Sequence, residues 1–198
     1  MCRLLESIQL NHGILHNISL HNERFNLSRK AIFGIDETLQ LENLIQLPEN
    51  ISNGKYKCRI VYGRQIEQIE FTPYQIRSIA SLKIIHEDSI HYPFKFENRE
   101  NINQLYLMKE QCDDILIVRN GLITDTSYCN IVFFDGKNFI TPTTPLLNGT
   151  KRKQLLLEGK ITEDEIKRKD IHLFKKVFLI NAMLDIEDNI EISTHKII

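Results

Sequence analysis

Lys95 lies in His91-Tyr-Pro-Phe-Lys-Phe-Glu-Asn-Arg99, flanked by three aromatic residues and just ahead of a stretch with helical spacing. A lysine amine acts as a nucleophile or base near neutral pH only where apolar surroundings disfavour its ammonium form. The plainer alternative is a surface lysine whose stem runs along the rings while its charge stays in water. Asp125 falls in Gly121-Leu-Ile-Thr-Asp-Thr-Ser-Tyr-Cys-Asn130, an acid and two hydroxyls between two apolar, strand-like runs. Taken alone it reads as a turn residue satisfying local N–H groups. Gly149-Thr150 opens a helical stretch, where unpaired backbone N–H groups and the positive end of the helix dipole favour a phosphate. Lys151 and Arg152 add positive charge there, as any solvated helix start does. Arg24, three residues after His21 in Leu20-His-Asn-Glu-Arg-Phe25, suits either an anion anchor or a surface charge, and alone it favours the surface.

Together these four pieces point further than each does alone. A lysine nucleophile, a phosphate cup, an anchoring arginine and a buried acid are what pyridoxal phosphate (PLP) requires. The lysine forms the Schiff base, the cup holds the phosphate, and the acid keeps the pyridine nitrogen protonated so that the ring draws electrons. Competing chemistries fare worse. His12 and His16 have a metal-binding spacing, but Gly13 puts a turn between them, so no metal is expected. Asp113 and Asp114 are adjacent and would face opposite sides of a strand, which weakens a paired-carboxylate hydrolase. Neither a G-x-S-x-G elbow nor a P-loop occurs.

The 198 residues are 42% apolar and 26% charged, with a net charge of -1. That balance makes no electrostatic case for nucleic acid or an anionic membrane. No apolar run approaches the roughly 18 residues that span a bilayer, and the N-terminus lacks the apolar core of a secretion signal. Cys2, Cys58, Cys112 and Cys129 show no C-x-x-C spacing, which predicts reduced thiols in a cytoplasmic protein rather than a zinc site.

The elements that must position the candidate residues follow from periodicity. Strands are predicted at Leu4 to Leu10 and, past the Asn11-His12-Gly13 turn, at Ile14 to Leu20. A helix from Leu20 to Phe33 ends at Gly34, and a second, acidic helix is expected over Glu37 to Ile45. Strand-like alternation then marks residues 55–63, 63–74 and 81–86. A helix over Glu100 to Gln111 precedes strands at Asp114 to Arg119, Leu122 to Thr124, Asn130 to Phe134 and Asn138 to Ile140. Helices are predicted from Thr150 to Glu158 and, through a capping-box pattern, over Thr162 to Lys167. The last clear strand is Lys176 to Asn181. The result is an α+β chain in two parts: a small N-terminal domain, residues 1–77, and a larger C-terminal domain, residues 78–198, that carries Lys95.

In their order along the chain, these motifs resemble the class IV aminotransferase family, which includes branched-chain and D-amino-acid aminotransferases and 4-amino-4-deoxychorismate lyases. Leu4-Leu-Glu-Ser-Ile8 is similar to the family's F-E-T-I strand, Leu20-His-Asn-Glu-Arg24 to H-x-x-R-L, and Lys95-Phe-Glu-Asn-Arg99 to K-x-x-N-[RY]. Gly121 to Phe133 is similar to G-x-[IV]-T-E-x-x-x-x-N-[IL]-F. Thr141-Pro142 with Leu146-Leu-Asn-Gly-Thr-Lys-Arg152 resembles the TP…LLPGITR cup, and Val177-Phe-Leu-Ile-Asn-Ala-Met183 the strand ending near the substrate.

The resemblance implies a two-domain D-amino-acid-aminotransferase-like fold and a homodimer. It makes Lys95 the catalytic residue that carries PLP. Arg24, Arg99, Asp125, Asn130, Gly149, Thr150 and Lys151 become the other cofactor-binding residues, and Asn181 and Arg99 the substrate contacts. The forms Lys95-x-x-Asn98-Arg99 and Asn181-Ala182-Met183 favour the lyase branch, which releases 4-aminobenzoate and pyruvate on the way to folate. An amino-acid aminotransferase and a non-catalytic PLP-binding relative are the alternatives. Asp125 stands where the family has Glu, and Asn148 and Lys151 replace the usual Pro and Thr of the cup. The strand and G-D-G-[VL]-F turn that precede F-E-T-I in the family are absent here, so an N-terminally shortened form is expected.

Overall fold

Alternation from Leu4 onward produces β1 (Leu4–Asn11), which sends Leu4, Ile8 and Leu10 into a core. The structure is a computed structural model that describes residues 2–48, 51 and 54–198. It divides into two units, Met1–Ile76 with Phe94–Asn98, and Arg77–Pro93 with Arg99–Ile198.

In the first unit His12 and Gly13 both take left-handed backbone angles, as a two-residue hairpin turn requires. They connect β1 to the short β2 (Ile14–Leu15). The strand predicted to run to Leu20 stops there, because Asn17 at φ 53° turns the chain into α1 (Ile18–Phe33). The N–H groups of Gly34, itself left-handed, and Ile35 close the helix onto the carbonyls of Lys30 and Arg29. β3 (Lys55–Tyr62) and β4 (Ile66–Pro73) complete an antiparallel sheet of order β2-β1-β3-β4. Phe25 of α1 packs on it against Tyr62, with ring centroids 4.5 Å apart, beside Leu4, Ile8 and Ile60.

The helix predicted over Glu37 to Ile45 is absent except for one 3-10 turn, Leu41–Asn43. The side chains of α1 take over the backbone groups that a helix would use. Asn22 accepts from the Leu41 N–H at 2.8 Å, and Asn26 both accepts from the Leu39 N–H and donates to the Leu39 carbonyl, each at 2.9 Å.

Residues 94–98 fall in the first unit, not with the C-terminal part that the sequence assigns to Lys95. The reason is backbone pairing with the start of β1. The Leu5 N–H donates to the Lys95 carbonyl at 2.8 Å, Leu4 bridges Phe96, and the Glu97 N–H donates to the Arg3 carbonyl at 2.9 Å.

In the second unit β5 (Leu82–His86) lies parallel to β6 (Asp114–Arg119), with α2 (Glu100–Leu107) between them in sequence. The helix stops short of Gln111 and is followed at Glu110 by a left-handed backbone. Asn120-Gly121, both left-handed, make the tight turn to β7 (Leu122–Thr126). β8 (Asn130–Phe134) and β9 (Phe139–Pro142) follow, and α3 (Thr150–Leu157) comes after a proline-containing loop. The helix predicted over Thr162 to Lys167 is instead β10 (Thr162–Asp164), parallel to Ile140–Pro142 of β9. β11 (Lys176–Ile180) pairs with β8 and with β12 (Glu191–Ser193), a strand that the periodicity did not mark. These eight strands form one mixed sheet. Among the described residues no helix is long and apolar enough to cross a membrane, and no cluster of His, Cys, Asp or Glu is placed to hold a metal ion.

Candidate active site

In the first unit the chemistry gathers on a strand and a helix. Leu4, Glu6, Ile8 and Leu10 share one face of β1, so strand alternation drives the Glu6 carboxylate into the core, fully buried. A buried carboxylate is tolerated only when paired and hydrogen-bonded. α1 supplies the partners from one face, three residues apart. Arg24 donates from Nε to Oε1 at 2.8 Å and from Nη2 to Oε2 at 2.5 Å, and His21 Nδ1 lies 2.6 Å from Oε2.

Burial pushes the Glu6 carboxyl up, but the Arg24 charge and the hydrogen bonds from His21 and Arg24 outweigh it and hold the group at about 2. Burial pushes His21 down against the pull of Glu6. A neutral His21 therefore donates its Nδ1 proton to Glu6. Lys95 is half-buried and near enough for its charge to oppose protonation of His21.

A carboxylate held below its unfolded value stabilises the fold above that value and loses the contribution as pH falls. For Glu6 the window runs from about 4.5 down to about 2, and at about 1.4 kcal/mol per unit the contribution is about 3 kcal/mol. Acid unfolding followed by circular dichroism should therefore show a stability loss across this range that Glu6→Gln lacks. An identical pH profile in that variant would contradict the assignment.

In the second unit Asp125, the penultimate residue of β7, is buried with both oxygens engaged. Oδ1 accepts from Asn130 Nδ2 at 2.8 Å, and Oδ2 accepts from the Leu146 and Leu147 N–H groups at 2.9 and 3.0 Å. Burial raises this carboxyl to about 6, against those donors and the charge of Arg152. Three N–H donors and no acceptor fit the ionised form, so Asp125 is a carboxylate at neutral pH.

Asn130 also donates to the Leu147 carbonyl at 2.9 Å, which ties the acid to the loop leading into α3. At the end of that loop, Gly149 has φ -70°, an angle open to any residue. Its constraint is space, because a Cβ there would lie 2.0 Å from Asn130 Oδ1. Gly149→Ala should push Asn130 out of its bonds to Asp125 and Leu147 and lower stability by about 1–3 kcal/mol, through clash and unsatisfied donors. Chemical denaturation of the variant measures this, and an unchanged midpoint would refute it. Gly149 caps α3 without a side chain, so the turn that begins at Thr150 has no side-chain cap.

Other predicted residues occupy different places. Lys151 is buried and commits its ammonium to Asp185 at 2.6 Å. Arg99 donates from Nη2 to the Ser127 carbonyl, with its guanidinium carbon 4.0 Å from the Tyr128 ring centroid. The Asn181 amide turns inward: Nδ2 donates to Cys129 Sγ at 3.2 Å, and Oδ1 accepts from the Met183 N–H at 2.8 Å. Burial holds the Cys129 thiol up at about 12, so it stays protonated.

The structure thus brings Arg24 and Lys95 together in the first unit, and Asp125, Asn130 and Gly149 in the second. Sequence reasoning passed over Glu6 and His21. The available signal was an acid at an inward position of an alternating strand, with a histidine and an arginine three apart on the following helix. Arg152, which the sequence places at a solvated helix start, is buried and donates to the Pro142 carbonyl at 2.8 Å and to Glu163.

The chain has a two-unit α+β architecture, with Arg24 paired to the buried Glu6 in one unit and the buried Asp125 near the end of β7 in the other. The chain matches the class IV amino-transferase family over residues 3–187 and belongs to it. An uncharacterised protein of Haemophilus influenzae is 38% identical over 185 residues, covering 92% of this chain and 98% of its own. A crystal structure from Haemophilus somnus 129PT, provisionally named a 4-amino-4-deoxychorismate lyase, is 33% identical with a TM-score of 0.84, covering 92% of this chain and 97% of its own. A provisionally named amino-acid aminotransferase from Mesorhizobium loti shares the fold at 20% identity and a TM-score of 0.79, over 92% of this chain and 96% of its own.

Proposed function

We propose that this chain is a PLP-dependent lyase that converts 4-amino-4-deoxychorismate to 4-aminobenzoate and pyruvate, a step toward folate. The observation that carries the PLP assignment is Asp125, buried and kept ionised by three N–H donors. Such an acceptor-only group suits a protonated ring nitrogen. The start of α3, without a side-chain cap, suits a phosphate. A hypothetical aminotransferase from Mycobacterium tuberculosis and an aminotransferase from Brucella abortus, both of this fold, have been solved with PLP bound. The lyase assignment is supported by the Asn98-Arg99 and Asn181-Ala182-Met183 forms and by the likeness to the Haemophilus somnus protein.

When bound, PLP supplies an electron sink for the carbon bearing the substrate amine. Lys95 would carry the cofactor and would move the proton at that carbon. In the first unit Arg24 would offer its guanidinium to a phosphate; in the second, the backbone N–H groups at the start of α3 would suit one. Asp125 would hold a proton at the ring nitrogen, with Asn130 fixing the carboxylate. Arg99, stacked on Tyr128, offers its charge to a substrate carboxylate. The products together contain all the atoms of the substrate, so the lyase step needs neither water nor a second substrate. We assign the protein to the cytoplasm as a homodimer; the unpaired state of all four cysteines accords with a reducing compartment.

The deciding experiment is incubation with 4-amino-4-deoxychorismate and PLP, with no keto acid present. Equal amounts of 4-aminobenzoate and pyruvate are expected. Amino-acid turnover that requires a keto acid and yields no 4-aminobenzoate would replace the lyase with an aminotransferase.

A further inference from the structure

A fully buried carboxylate in mid-strand is a poor device for stability alone, since apolar residues of similar volume often replace a buried ion pair without loss. Glu6 is held on both sides. Arg24 presents the Nε–Nη2 edge of its guanidinium to the two carboxylate oxygens, and His21 meets Oε2 from the preceding turn of α1. Two parallel bonds to one carboxylate fix the plane of a guanidinium as well as its position. They use two of its five donors. His21 in turn opposes rotation of the carboxylate. The same strand holds the strap of Lys95, because the Leu5 N–H, one residue before Glu6, donates to the Lys95 carbonyl at 2.8 Å. β1 is therefore the common support of the amine and the guanidinium in this unit.

We infer that Glu6 is a positioning residue that orients the Arg24 guanidinium for a phosphate monoester, with His21 as its brace. The inference rests on the assignment of PLP as cofactor and adds that recognition of the phosphate, separately from recognition of the ring, depends on Glu6. A glutamine at position 6 keeps the size but offers one acceptor where the carboxylate offers two, so Arg24 loses half of its fork. An aspartate keeps the charge but withdraws it from Arg24 by one methylene.

The test compares binding of PLP and of pyridoxal, which lacks the phosphate, to wild type, Glu6→Gln and Glu6→Asp. Affinities are read from absorbance titrations, and folding is checked by circular dichroism. In wild type PLP should bind far more tightly than pyridoxal. In both variants that preference should fall about tenfold or more, while pyridoxal affinity stays within about threefold of wild type. If Glu6→Gln does not fold, Glu6→Asp decides. An unchanged preference, or equal weakening toward both ligands as a merely structural role would give, overturns the inference and leaves the PLP assignment intact. Failure of the wild type to bind PLP overturns both.

Discussion

Lys95→Ala is expected to abolish the absorbance band near the visible edge that the proposed PLP binding would give the wild type, and to lower the proposed lyase turnover by at least about a thousandfold. Two losses combine. The amine that would join the cofactor is gone, and so is the base that would move the proton at the substrate carbon. The variant should still fold, because the strap is held by its backbone: the Lys95 carbonyl accepts from Leu5, and Phe96 bridges Leu4, whatever the side chain at 95. Lys95 is only half-buried, so truncation opens little space in the core. Difference spectra of wild type and variant against PLP are the direct measurement. A band of equal intensity in the variant would show that another amine carries the cofactor, and the assignment of Lys95 would fall.

Asp125→Asn is the second large effect, and here catalysis and binding should separate. Asp125 meets N–H donors on both oxygens, Asn130 on one and Leu146 and Leu147 on the other. An asparagine has one acceptor oxygen, so whichever way it turns, its amide hydrogens face donors on the opposite side. Each donor left unpaired costs about 1–3 kcal/mol, and the loop ahead of α3 loosens. The charge proposed to face the ring nitrogen disappears as well, and that charge is what would favour a protonated ring. Turnover should drop about a hundredfold or more, by analogy with the loss of other electrostatic groups at reacting centres. PLP affinity, which on the proposed assignment would also draw on Lys95 and the phosphate contacts, should change by about tenfold at most. Steady-state kinetics and PLP titration together read the split, and wild-type turnover in Asp125→Asn would return the residue to a turn-forming role.

Which parts of this were legible from residues alone depends on where the determining contacts lie. Strands such as Leu4–Asn11 and Asp114–Arg119 and the Gly34 helix end are local patterns, and they emerge where periodicity and backbone conformation place them. The segment after α1 failed because its backbone partners are Asn22 and Asn26, up to nineteen residues earlier, and no window over residues 37–45 contains them. Thr162–Asp164 failed for a similar reason: its apparent capping box is overridden by pairing with β9, some twenty residues away. At the site, Asp125 stands out in the sequence because an acid between two apolar strands is locally odd. Glu6 does not, since its meaning depends on a helix that packs across its strand. The inward commitment of Asn181 to Cys129, fifty-two residues distant, was likewise beyond any local pattern.

The bond from the Leu5 N–H to the Lys95 carbonyl joins residues ninety positions apart, and this bears on the order in which the protein assembles. Closing a flexible loop of that length costs about 4 kcal/mol in chain entropy, whereas β1, β3 and β4 meet through shorter connections. Once their sheet has formed, the chain left to close runs from Pro73 to Phe94, about twenty residues, and the cost falls to about 3 kcal/mol. The strap bearing Lys95 therefore joins a sheet already built. During synthesis the first unit stays without Lys95 until that residue has left the ribosome, so a nascent chain of the first eighty residues can form the strand and helix around Glu6 before the Lys95 amine reaches them.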